Sequence, residues 1–271
     1  MKTASAPHRE LPGGRRLRDG RCIYWWAEVL AIVVFYFVYS TIRNWNADNA
    51  STALRNAEWL IDLQKALGIY HEETLQDWAL GFKPLIIAAN YFYGSLHFVV
   101  TIAAGVYLFR RFSDDYPLYR NTLAITTALA LVGFRLFPLM PPRLLDAYAS
   151  VDYDFVDTLA RYPTFWSFNS GAVSKISNQF AAMPSVHVAW ATWCALVFAP
   201  RVRRTWAKAL AIGYPILTVV VIVITGNHYV LDAVGGLVVL GIGWLVANRF
   251  TRAGRGPAEA ADPTEAAADR V

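Results

Sequence analysis

The chain has 271 residues, 56% of them hydrophobic and 17% charged, with 10 Trp, 14 Tyr and 15 Phe. Apolar runs that recur on this background exclude an ordinary soluble domain and point to an all-α, polytopic membrane protein. The formal charge of +5 sits mostly in short loops and tails beside those runs, which is a topology signal rather than a nucleic-acid-binding face.

Residues 1–21 are polar, with Pro12, Gly13, Gly14 and several Arg, and read as a disordered cytoplasmic tail. The first span runs from Tyr24 to about Ile42. Its aromatic flank (Tyr24, Trp25, Trp26) and the lack of a small-x-small cleavage site make it a retained helix, not a signal peptide. Residues 53–80 carry Leu54, Leu60, Ile61, Leu63, Leu67 and Trp78 among acids, a pattern for one or two short amphipathic helices on the outer surface. The second span is Pro84 to Phe109. The third is Asn121 to Phe137, stopped by Pro138, Pro141 and Pro142. The loop 144–182, with Tyr148, Tyr153, Tyr162, Phe165, Trp166 and Phe168, reads as a lid or an interfacial platform. The fourth, fifth and sixth spans are Pro184 to Ala199, about Ala207 to Thr225, and about Tyr229 to Ala247. A second disordered tail, 251–271, closes the chain. The spans thus form one six-helix membrane domain over 22–250.

Six spans place both termini on one side. Most of the 25 Lys and Arg precede span one, follow span six, or join spans two to three and four to five, and this excess marks the cytoplasm. Loops 43–83, 138–183 and 226–228 are then external, in what is expected to be the plasma membrane. Cys22 and Cys194 have no pairing or metal-type spacing, and no cofactor is expected.

This topology brings Arg143, Ser185, His187, His228 and Asp232 to the external face. Ionisable groups at the edge of hydrocarbon are costly and read as functional. His228 and Asp232, four residues apart, share a helix face. The carboxylate can hold one imidazole nitrogen and leave the other as a base or nucleophile. Pro184 and Ser185 open an apolar helix whose first N–H groups favour an anion, and His187 lies in its first turn.

Met183-Pro184-Ser185-Val186-His187 resembles the Pro-Ser-x-His motif of the type 2 phosphatidic acid phosphatase superfamily. His228-Tyr229-Val230-Leu231-Asp232 resembles its third motif, and Pro141-Pro142-Arg143 a variant of its first. The His-Tyr-x-x-Asp form, with Tyr93 and His97 in span two, resembles most the branch of inositol phosphorylceramide synthases. The superfamily's Lys ahead of the first motif is absent from span three, where Arg135 is the candidate substitute. Val221 and Ile222 stand where a Ser-Arg pair precedes the third-motif His.

The resemblance implies a six-helix, metal-independent lipid phosphatase or phosphotransferase. In it His228, held by Asp232, attacks phosphorus and His187 serves as acid and then base. Arg143, Ser185 and Arg135 hold phosphate oxygens, and the partner is a membrane lipid. Other readings of the same residues are a transporter or flippase with a proton relay, haem or metal binding through His97, His187 and His228, and an intramembrane serine protease using Ser185.

Overall fold

The computed structural model describes residues 12–44, 50–150, 152–164 and 179–253. The outer parts of both expected tails, and Phe165, Trp166 and Phe168 of the long loop, lie outside the described residues. A helix occupies each of the six apolar runs. α1 is Trp25–Asn44. α4 (Lys83–Tyr91) continues through a π-helical turn, Phe92–Leu96, into α5 (His97–Arg111). α6 is Tyr116–Leu136, α9 Val186–Phe198, α10 Thr205–Ile224 and α11 Val230–Ala253.

Three of these helices are long and apolar enough to cross a membrane: Lys83–Arg111, Thr205–Ile224 and Val230–Thr251. Trp25–Val38 and Val186–Phe198 are shorter apolar helices. The chain is an integral membrane protein by this apolar character. Trp193 is buried in the bundle and its indole N–H donates to the Tyr119 carbonyl (2.9 Å). The backbones come close where side chains vanish. A Cβ on Gly236 of α11 would run into the Ser185 carbonyl, and one on Gly243 into Thr126 of α6. Small residues at crossings are how membrane helices gain contact without a hydrophobic drive between them.

Residues 12–21 differ from the expected tail. Gly14–Arg16 pairs antiparallel with Cys22–Tyr24. Gly20, at φ 82°, makes the turn, and Leu17 is buried beneath it. The Arg18 N–H donates to Asp114 (2.7 Å), tying the hairpin to the α5–α6 corner. A polar composition hides a hairpin whose strands are only three residues long.

The segments between α1 and α4 and between α6 and α9 build part of the core. α2 (Ala50–Ala66) and α3 (Glu72–Leu80) pack inward. Ala53, Ala57, Leu60 and Ile61 join Leu139, Met140, Leu145, Phe155, Phe180 and Tyr229 in one core. The short helices α7 (Leu145–Tyr148) and α8 (Thr158–Arg161) sit in the long loop. Gln76 clamps that loop through both ends of its side-chain amide, Oε1 accepting from Val156 N–H (2.8 Å) and Nε2 donating to the Val156 carbonyl (3.1 Å). Burial pushes the Tyr70 hydroxyl well above its usual range, helped by its bond to Glu73 (2.8 Å). Tyr153 is raised by burial and then by the neighbouring Glu58, Asp62 and Glu73.

The buried Gln64 and Glu72 reach the start of α11. Glu72 accepts from Val230 N–H (2.9 Å) and from Gln64 (2.8 Å), and Gln64 accepts from Leu231 N–H (3.0 Å). Removing this cap by Glu72→Ala is expected to cost about 1–2 kcal/mol, read as a lower thermal midpoint in detergent. Gly236→Val, which forces α9 and α11 apart, is expected to cost about 1–3 kcal/mol in the same measurement.

Candidate active site

The site forms where α11 begins. Gly226 holds φ 66°, and a Cβ there would lie 2.7 Å from Gln76 Nε2 and 3.3 Å from Arg143 Cβ. Glycine is required by both the backbone and the space. The tight turn lets the Gly226 carbonyl accept from Arg143 N–H (2.8 Å), which draws the proline-stopped end of the third apolar run against the α10–α11 turn.

His228 lies in this turn, ahead of the first helical residue, Val230. The shared helix face expected for His228 and Asp232 is therefore replaced by a capping turn. Asp232 Oδ2 accepts from Tyr229 N–H (2.9 Å) and lies 3.3 Å from His228 Nδ1. The Ala182 carbonyl is nearer that nitrogen, at 2.9 Å. Both neighbours of Nδ1 are acceptors, so the neutral imidazole carries its proton there and its lone pair on Nε2.

His187 stands in the first turn of α9. Its ring centroid is 5.6 Å from that of His228, and it stacks on Tyr93 at 4.3 Å. His97 meets it from the other side at 4.3 Å, with its own Nδ1 3.0 Å from the Tyr93 carbonyl. Tyr93 lies within the π-helical turn and His97 directly follows it. Such turns are rare and are found often at functional sites. Three imidazoles and a phenol thus meet where the sequence placed two imidazoles with assurance and the other pair only by resemblance.

Arg143 completes the group. Its Nε donates to Asn227 Oδ1 (3.1 Å) and its Nη1 pairs with Asp157 Oδ2 (2.9 Å). Asp157 is itself fixed by accepting the N–H groups of Leu159 and Ala160 as the cap of α8. Behind it, Asn90 donates to the Thr158 carbonyl (2.9 Å). Arg143, His187, His228 and Asn227 all line one cavity of about 1920 Å³.

Two expected phosphate ligands are not brought to that cavity. Ser185 is fully buried: its hydroxyl accepts from Val188 N–H (3.5 Å) as a helix cap, and its N–H donates to the Asp232 carbonyl (2.9 Å). Arg135 is exposed near the end of α6 and does not line the cavity, because Leu131 and Phe134 take the buried face of that helix. Asn227, Asp157, Gln64 and Glu72 were missed by sequence reasoning. Asn227 sits beside His228 and could have been flagged by adjacency. The other three read as ordinary polar positions of loops and amphipathic helices.

No curated protein and no solved structure matches the chain. A family model described as the PAP2 superfamily matches residues 58–246. That span runs from α2 to near the end of α11 and takes in Arg143, His187, His228 and Asp232. The match covers more than half of the chain, which therefore belongs to the PAP2 superfamily.

Proposed function

We propose that the protein is a membrane lipid phosphatase or phosphotransferase that works through a phosphohistidine on His228. The observation that carries this reading is the grouping of His228, His187 and Arg143 around one cavity, 5.6 Å separating the two imidazoles. Membership of the superfamily brings phosphatase-type chemistry on phosphate esters in a membrane protein.

In the proposed reaction Nε2 of His228 attacks phosphorus in line. Asp232 and the Ala182 carbonyl hold the imidazole and stabilise the proton on Nδ1. His187 donates a proton to the leaving oxygen. Arg143, steadied by Asn227 and Asp157, offers its remaining N–H donors to the equatorial oxygens. His187 then takes a proton from water or an alcohol, which displaces His228 from phosphorus. Six spans, with both termini cytoplasmic and the site at the outer face of the plasma membrane, are the arrangement that fits the basic loops. The His228-Tyr229 pair and the Tyr93–His97 turn favour the phosphotransferase branch that resembles inositol phosphorylceramide synthases.

His228→Ala should lose turnover of a labelled phospholipid panel and lose the acid-labile phosphoenzyme found after rapid quench. Retained activity in that folded variant would sink the scheme. His187→Ala should lose about 10²–10⁴-fold on alkyl phosphate esters. It should lose less on p-nitrophenyl phosphate, whose leaving group departs without a proton. Arg143→Ala should cost about 10²–10³-fold in kcat, and Arg143→Lys should not restore it, since a point charge cannot keep the fork to Asn227 and Asp157.

A further inference from the structure

The cavity at His187 and His228 does not end there. It continues as a groove between α1, α5 and α6, from Gly94 in the π-helical turn along α5 to Phe109, a distance of about 22 Å at the helical rise. Its long walls are apolar, with Ile32 and Val33 on α1, Ile102 and Val106 on α5, and Leu123 and Ala124 on α6. At the far end the lining turns polar, with Glu28, Tyr116 and Arg120. There α1 is pinned to α6: Arg120 Nη1 lies 2.5 Å from Glu28 Oε1, and the Tyr116 hydroxyl donates to Glu28 Oε2 (3.1 Å). Ile32 and Val33, beyond that pin, are 60% and 58% exposed. Between this pin and the histidines the groove runs beside α1.

We propose that this groove holds one hydrocarbon chain of a long-chain lipid phosphate whose phosphorus sits at His228, and that its polar far end limits the length of chain accepted. The proposal rests on the lipid phosphate reading above. The groove is continuous with the cavity of the two histidines, so the group esterified to a phosphate there has this route to follow. The walls offer few partners to a sugar or a peptide, whose polar groups would be left unsatisfied in hydrocarbon surroundings. A linear chain meets the depth and the lining alike. Gly105 lies midway along the wall, and a Cβ there would meet nothing within 4 Å. A large side chain at that position enters the slot without moving the helix.

Two measurements on the full chain in lipid nanodiscs test this. In the first, phosphatidic acid with a diazirine at the end of one palmitoyl chain is photolysed and the labelled peptides are mapped. Labelling concentrated on the facing walls of α1, α5 and α6, and unchanged in His228→Ala, is expected. Labels spread evenly over the outer faces of the bundle, including α10, would overturn the groove whatever the protein catalyses. In the second, Gly105→Trp is compared with the parent on dipalmitoyl and dioctanoyl phosphatidic acid. The long-to-short ratio of kcat/KM should fall about tenfold or more, since the blocked chain loses several buried methylenes. An unchanged ratio also overturns the proposal. If the parent protein hydrolyses or transfers neither lipid, the functional reading fails, and the label pattern still decides the groove.

Discussion

The packing of α2 and α3 depends on how the first turn of α11 is capped. A helix start in apolar surroundings has backbone N–H groups that water does not reach, and each one left bare is costly. Here Asp232, Glu72 and Gln64 take the N–H groups of Tyr229, Val230 and Leu231 in succession. Two of those acceptors come from helices more than 150 positions earlier in the chain. The need to close one helix end therefore draws α2 and α3 down onto the bundle and turns two amphipathic helices into a lid of packed core.

The same turn positions His228. Asp232 uses one carboxylate oxygen both as a cap for Tyr229 and as a partner for His228. Rotating the imidazole would give up its contacts with both Asp232 and the Ala182 carbonyl. Arg143 is arranged on the same principle of shared duty. Its backbone N–H anchors the Gly226 turn while its guanidinium is held by Asn227 and Asp157. A half-buried cation needs such partners, and Asp157 is locked in turn by the helix it caps. Preorganisation of this kind costs the protein little at the moment a charged ligand arrives.

The six apolar runs were legible because an apolar helix announces itself by composition. Tyr24 to Ile42 and its counterparts each correspond to a helix. The histidines at the start of α9 and before α11 were legible because an ionisable group beside hydrocarbon has few ordinary reasons to be there. The hairpin at residues 14–24 was not legible, since three-residue strands carry no periodicity. Ser185 and Arg135 were assigned by motif and by charge. A hydroxyl at a helix start serves equally well as a cap, and a cation near a helix end faces whichever way the helix turns. The inward roles of Gln64, Glu72 and Asp157 left no trace in the pattern either, because a polar residue among acids looks solvated until its neighbours are known.

By itself, then, the sequence determined that the chain is helical and has the apolar character of a membrane protein, and it singled out His187, His228, Asp232 and Arg143 as candidates. Hydropathy and the cost of charge in hydrocarbon are local properties, readable one segment at a time. Tertiary structure alone decided that Tyr93 and His97 flank His187, that Ala182 competes with Asp232 for His228, that Ser185 and Arg135 stay out of the cavity, and that α1 leaves a groove beside α5. Each of these depends on which helix faces which, and on where a glycine lets two backbones touch. Those are relations between distant segments, and no single segment carries them.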